Sequence, residues 1–179
     1  MYGMVNKAIQ DLVTKNFSEE KWIAIKNKVG FEDDFFISMQ SYPDQLTYDL
    51  VGAASEVLNL EQSAILEAFG EHWILYTAVE GYGEMLALSG STLPEFLGNL
   101  NMLHERVANI MPQLQPPKFS TKEIAENHIE LTYESDRDGL SSMVVGLLRG
   151  LGKRFEKNCK ISQISHKSES EKDVFSVSW

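Results

Sequence analysis

Two groups of residues in this chain have the types and the spacing to do chemistry. The first is a histidine set in an apolar stripe. Leu93, Leu97, Leu100, His104, Val107 and Met111 recur at intervals of four, three, four, three and four. That period puts all six on one face of a helix. An imidazole among leucines is left desolvated unless its ring nitrogens find partners. A metal held by the neutral ring, haem iron for example, is one such partner. A backbone carbonyl or a water would satisfy a purely structural histidine, and the spacing fits both.

The second group is a row along a strand. Residues 128–137, HIELTYESDR, alternate with a period of two, as a half-buried strand does. Glu130, Thr132, Glu134 and Asp136 make one face, and these are solvent residues. Ile129, Leu131, Tyr133, Ser135 and Arg137 make the other. The inward row thus runs from aliphatic side chains into a phenol, a hydroxyl and a guanidinium, all hydrogen-bond donors. Turned towards a core, such a row needs an anion with several acceptor oxygens. A ligand carboxylate gripped by Arg137 meets that need, and so does an Asp or Glu of the protein itself.

The other candidates carry less. His72 precedes Trp73 on a helix and reads as a surface-side residue, while Trp73 reads as core or as the wall of a pocket. His128 and His166 fall in strand segments without ligand-like neighbours, which speaks against a zinc site. Gly146, Gly150 and Gly152 lack the spacing of a phosphate-binding loop and read as positions of close helix packing. No nucleophile elbow or HExxH motif occurs, so no catalytic constellation is expected. The single cysteine, Cys159, precludes an intrachain disulfide and the C-x-x-C-H mode of haem attachment.

The elements that must position these residues follow from periodicity. Val5, Ile9, Leu12 and Val13 mark one helix, and Trp22, Ile25 and Val29 mark a second that stops at Gly30. Leu46, Leu50, Ala54 and Val57 follow Pro43 in a third. Ile65, Leu66, Phe69, Trp73 and Tyr76 form a fourth, broken at Glu80-Gly81 and followed by a short piece from Tyr82 to Leu88. Thr92 and Glu95 make a capping box at the head of the His104 helix, which is predicted to run to about Met111 and stop at Pro112. Residues 112–117, with three prolines, are an extended connector. After the strand comes an apolar helix with Leu140, Met143, Val144, Leu147, Leu151 and Phe155 on one side. Strands near 159–165 and 173–179 close the chain. Helices first, then strand, helix, strand, strand, is an α+β order.

Composition agrees with one domain over residues 1–179, since 43% of the residues are apolar and 23% charged. With 26 Asp and Glu against 16 Lys and Arg the net charge is −10, which argues against a nucleic-acid or anionic-membrane partner. The N-terminus, interrupted by Asn6, Lys7, Gln10 and Asp11, is unlike a signal peptide, and no apolar run approaches the roughly 20 residues of a membrane span. A cytoplasmic location is the expectation.

The Tyr133-x-Ser135-x-Arg137 triplet, downstream of His104 on its apolar helix, combines with the proline-rich turn and the Gly-Leu-Leu helix. In that order and spacing the chain resembles the haem-nitric oxide/oxygen binding domains, H-NOX, which include the sensor domain of soluble guanylate cyclase. The likeness runs from Met1 to the last strand and is nearest to stand-alone cyanobacterial members. It implies an α+β fold in which a helical part, about residues 1–60, precedes a haem-holding part of about 61–179. In that second part an antiparallel sheet and a packed helix enclose one non-covalent haem b.

The resemblance further implies that His104 is the proximal iron ligand and that Tyr133, Ser135 and Arg137 bind the two propionates. Pro117 would press on the porphyrin and hold it out of plane. Leu100 would also contact the haem, and Val5, Ile9, Trp73, Met143 and Leu147 would lie on its distal side. Oxygen-storing members carry a distal tyrosine where this chain has Met143, so NO and CO are the implied ligands, although the Trp73 indole can still donate a hydrogen bond. The implied mechanism is release of His104 from iron and flattening of the haem, read by a separate signalling protein such as a histidine kinase or a cyclic-nucleotide enzyme. A haem-dependent redox enzyme and a haem carrier are the competing classes.

Overall fold

The computed structural model describes residues 1–179. Four helices open the chain: α1 (Gly3–Asn16), α2 (Glu19–Val29), α3 (Asp44–Leu58) and α4 (Gln62–His72). Sequence explains their ends. The Ser18 hydroxyl accepts from the Lys21 N–H and Glu19 and Glu20 occupy the first turn of α2, where the helix dipole favours them. Gly30 ends α2 at φ +74°, a left-handed conformation that glycine adopts without strain. Ile9, Leu12, Val13, Trp22, Ile25, Leu50, Ala54, Ile65 and Phe69 are buried together as one core.

The helical run that starts with α4 breaks beside Glu80-Gly81, as the sequence predicts. It passes into a π turn, Trp73–Thr77, and then α5 (Ala78–Ala87), with a kink at Tyr82 (φ −139°, ψ 26°). A glycine inside a helix costs only about 1 kcal/mol relative to alanine, and burial of Ala78 and Leu86 against the core holds α5 in place across Gly81. The π turn is a second irregularity, one that periodicity does not show, and such turns tend to mark functional sites.

The His104 stripe is not one helix. It divides into α6 (Leu93–Gly98) and α7 (Leu100–Ala108) at Asn99, whose side-chain amide donates to the Ser89 carbonyl at 3.0 Å. A short amide that bonds to nearby backbone competes with helix continuation. The Thr92 hydroxyl caps α6 by accepting from the Glu95 N–H at 3.4 Å, but Glu95 returns to Ser91, one residue earlier than the predicted box.

The rest of the chain is β1 (Lys118–Ala125), β2 (His128–Glu134), α8 (Ser141–Arg154), β3 (Lys160–Ser165), a four-residue helix α9 (Lys167–Ser170) and β4 (Asp173–Ser178). The sheet is antiparallel in the order β1-β2-β4-β3. Strand β1 is absent from the periodicity because all of its residues but Phe119 are exposed, so KFSTKEIA carries no buried alternation. Strand β2 ends three residues earlier than predicted. Its neighbours begin opposite it at Lys118↔Glu134 and Asp173↔Tyr133, so Ser135–Arg137 have no strand to pair with.

The inner sheet face (Ile129, Leu131, Phe175, Val177), α8 (Val144, Leu148, Leu151) and α6 (Leu93, Phe96, Leu97) form a second core. The two cores hand over between Phe69 and Ile74. Helices α4 and α8 approach until backbones touch there. A Cβ on Gly146 would overlap the Glu67 carbonyl, and one on Gly70 the Met143 carbonyl. Ion pairs Arg149–Glu67 and Lys153–Glu71 flank the contact. No helix is long and apolar enough to cross a membrane.

Candidate functional site

Between the two cores lies a mostly apolar cavity of about 920 Å³, at the upper end of ligand-site volumes. His104 stands on its wall. Its Nδ1 is buried without a hydrogen-bond partner. Burial pushes the imidazole pKa below the ordinary histidine value, while the Pro117 carbonyl works in the opposite direction. The ring is therefore neutral at pH 7, the form that ligates metals.

The neighbourhood of His104 is built from β1. The Phe119 ring lies 5.8 Å from the imidazole and 5.5 Å from the Tyr133 ring, linking the two predicted chemical groups. Asn101, one turn before His104, donates to the Phe119 carbonyl at 2.7 Å and accepts from its N–H at 2.9 Å. Helix α7 is thus tied to the start of the first strand of the sheet. Neither Phe119 nor Asn101 stands out in the sequence, because both act through a strand that periodicity does not reveal.

Tyr133, Ser135 and Arg137 line the cavity. Burial raises the Tyr133 hydroxyl pKa, so the phenol stays a donor. Arg137 Nε donates to Asp44 Oδ2 at 2.7 Å, and a second guanidinium nitrogen donates to the Gln115 carbonyl at 2.8 Å. Asp44, at the start of α3, also accepts from the Met1 ammonium. Burial pushes its carboxyl up, but the hydrogen bonds and charges of Met1 and Arg137 outweigh this and hold it below the usual carboxylate range. A protein carboxylate therefore does face Arg137. Two of the five guanidinium N–H groups are engaged, which leaves donors for a further acceptor.

Pro117, Leu100, Val5, Trp73, Met143 and Leu147 are also on the wall. Ile9 is not. It is fully buried in the N-terminal core. Helix α1 meets the cavity at Val5, and Ile9 lies one turn further along it, about 6 Å in rise. His72 is a second correction. Far from facing solvent it is 5% exposed, its Nε2 has no partner, and its ring lies 4.8 Å from that of Tyr76. His128 Nε2 is hydrogen-bonded to Ser176 Oγ at 2.8 Å, a structural role.

The wall asks for a ligand that is apolar over most of its surface, offers something to an unpaired imidazole, and ends in acceptors for a phenol, a hydroxyl and a guanidinium. Haem has those properties, so the residues present fit it. Residues 2–163 match the Haem-NO-binding family. The chain belongs to that family. Domains of this family are haem-binding gas-sensor units rather than catalytic ones.

Relatives include the soluble guanylate cyclase gcy-32 of Caenorhabditis elegans, 30% identical over 86% of this chain and 23% of that protein. The soluble guanylate cyclase gcy-37 of the same organism is 28% identical over 99% of this chain and 26% of its own length. This chain thus spans about a quarter of the curated relatives it matches. Among solved structures, an H-NOX protein from S. oneidensis in the Fe(II)NO ligation state superposes with a TM-score of 0.88 at 18% identity, over 99% of this chain and 98% of that one. A variant Fe(II) unliganded H-NOX protein from K. algicida gives 0.84 at 21% identity, over 99% and 96%. These likenesses confirm the α+β fold of this Haem-NO-binding domain.

Proposed function

We propose that this domain senses NO, and CO, at a ferrous b-type haem ligated by His104, and that it signals to a separate protein. The observation that carries this reading is the unpaired, neutral His104 on the wall of a cavity that also presents Tyr133, Ser135 and the unengaged guanidinium donors of Arg137. When bound, haem supplies a ferrous iron that takes a diatomic gas, with a histidine as its protein ligand. Everything else is done by the chain.

Tyr133, Ser135 and Arg137 orient the propionate edge by donating hydrogen bonds. Pro117 and Leu100 hold the His104 side, and Val5, Trp73, Met143 and Leu147 keep the opposite side dry. Met143 offers a thioether that cannot donate to a bound gas, which favours NO and CO over oxygen. Only the Trp73 N–H can supply a donor among those four. The same four residues provide no acid–base pair to move protons, which speaks against a redox enzyme. The three donors that grip the propionates speak against a carrier that must release its haem.

The signal originates at α7. This nine-residue helix is too short to be stable without tertiary support. Its ties are His104 and the Asn101–Phe119 pair. Were His104 released from a bound haem, the Asn101–Phe119 pair would remain as the polar tie to β1, and the part of α7 around His104 would be free to turn about it. Such a change is read by a partner whose contacts differ between the two arrangements.

The deciding experiment is the absorption spectrum of the haem-loaded ferrous protein before and after anaerobic NO. The Soret band is expected to move to that of a five-coordinate nitrosyl. His104→Gly is expected to lack the histidine-ligated spectrum, and its retention in that variant would refute the assignment.

A further inference from the structure

The loop that carries Ser135 and Arg137 lies beyond the sheet. β2 has its last partner on β4 at Tyr133↔Asp173 and on β1 at Glu134↔Lys118. The backbone groups that follow have no ladder, yet the two side chains must be presented accurately. Their support comes from elsewhere. Arg137 N–H donates to Ser135 Oγ at 3.1 Å, and the Tyr48 hydroxyl on α3 donates to the Asp138 carbonyl at 3.0 Å. The Ser135 carbonyl accepts from Lys167 Nζ at 2.7 Å, and the same ammonium donates to the Asp138 carboxylate at 2.6 Å.

Lys167 is itself anchored with care. Its backbone N–H donates to Asp173 Oδ1 at 2.9 Å. Asp173 is 4% exposed and its remaining acceptors take the Gln163 amide at 2.7 Å and the Ser141 hydroxyl at 2.9 Å. A buried carboxylate needs several donors to be tolerated, and here all three are neutral. The lysine therefore gives its backbone to the buried acid while its ammonium passes on to the Ser135–Asp138 loop. Asp173 is also the register partner of Tyr133. One buried acid thus aligns the strand that carries Tyr133 and the lysine that holds the loop carrying Ser135 and Arg137.

We infer that Lys167 is a positioning residue of the propionate clamp, a second cation beside Arg137 that fixes Ser135 and adds positive charge at the anion end of the cavity. The inference rests on the haem-binding reading above. Arg137 is paired with Asp44 and is only partly available as a charge. The partner of Lys167, Asp138, has a side chain 86% exposed and is well hydrated, whereas the Lys167 side chain is 35% exposed. The cation is the less exposed member of its pair, so water screens it less than it screens the acid.

The test uses the haem-loaded full chain and three variants: Lys167→Met, Lys167→Arg and Asp138→Asn. Two quantities are read, the rate of haem transfer to an excess of apomyoglobin and the ferric/ferrous midpoint potential. Lys167→Met is expected to release haem roughly threefold to tenfold faster and to lower the midpoint potential, because the ferric form loses less from removal of a nearby cation. Lys167→Arg is expected to restore both. Asp138→Asn keeps the ammonium and its bond to Ser135, and is expected to release haem no faster than the parent chain. A parent chain that takes up no haemin overturns the haem reading and this inference together. A parent chain that binds haem while Lys167→Met matches it in both quantities overturns the role of Lys167 alone. Equal acceleration by Lys167→Met and Asp138→Asn, with the potential unmoved, would leave Lys167 only a loop tie and overturn its part as a second cation.

Discussion

His72→Leu should flatten the pH dependence of stability. His72 is 5% exposed, and burial, reinforced by the Lys15 charge on α1, holds its pKa below the ordinary 6.5, while Asp11 and Glu80 oppose. Between its folded value and 6.5 the unfolded chain binds more protons at this residue than the folded chain does. Unfolding free energy therefore rises with pH across that window, with a slope of up to about 1.4 kcal/mol per unit. The contribution is complete above pH 6.5 and is lost as pH falls through the folded value.

Leucine has no proton to bind. At pH 7.5 the substitution removes an unpaired ring nitrogen, worth about 1–3 kcal/mol in favour of the variant. It also loses the contact with Tyr76, worth about 0.5–1.5 kcal/mol the other way. The net change at pH 7.5 is small and favours the variant. On going to pH 5.5, the parent chain should lose more stability than the variant, by at most about 1.4 kcal/mol per pH unit below 6.5. Urea unfolding of both proteins at the two pH values measures the difference, and His104, common to both, cancels. Parallel losses would refute the argument, because a buried histidine with no acceptor for a second proton must register in the slope.

Gly146→Ala places a Cβ on the Glu67 carbonyl, so a loss of about 1–3 kcal/mol or more is expected in thermal or urea unfolding. Arg137→Leu removes the donor to both Asp44 and the Gln115 carbonyl; apo stability should fall by about 1 kcal/mol and haem retention, followed by transfer to apomyoglobin, should fall with it. Met143→Tyr puts a hydroxyl donor on the cavity wall, and slower autoxidation with a stable oxygen complex, seen in the visible spectrum under air, is the expected result.

Much of the site is written in short-range pattern. The stripe around His104, the inward order Tyr133, Ser135, Arg137 and the helix-packing glycines are readable because each depends on a period of 3.6 or 2 residues or on a missing Cβ. Strand β1 escapes because an edge strand with only Phe119 half-buried leaves no alternation to detect. The break at Asn99 escapes because it depends on a carbonyl ten residues away.

What the sequence determined by itself is the chemistry on offer: a histidine in an apolar setting and a row of three donors, with a family pattern to connect them. What only the tertiary structure decided is which groups answer them. Asp44 reaches Arg137 across 93 residues and Lys167 reaches Ser135 across 32, and no local period encodes such pairings. His72 and Ile9 show the same limit from the other side. Whether a helical residue meets solvent, a core or a cavity depends on where the neighbouring helix lies, and that is settled when the two cores pack and not before.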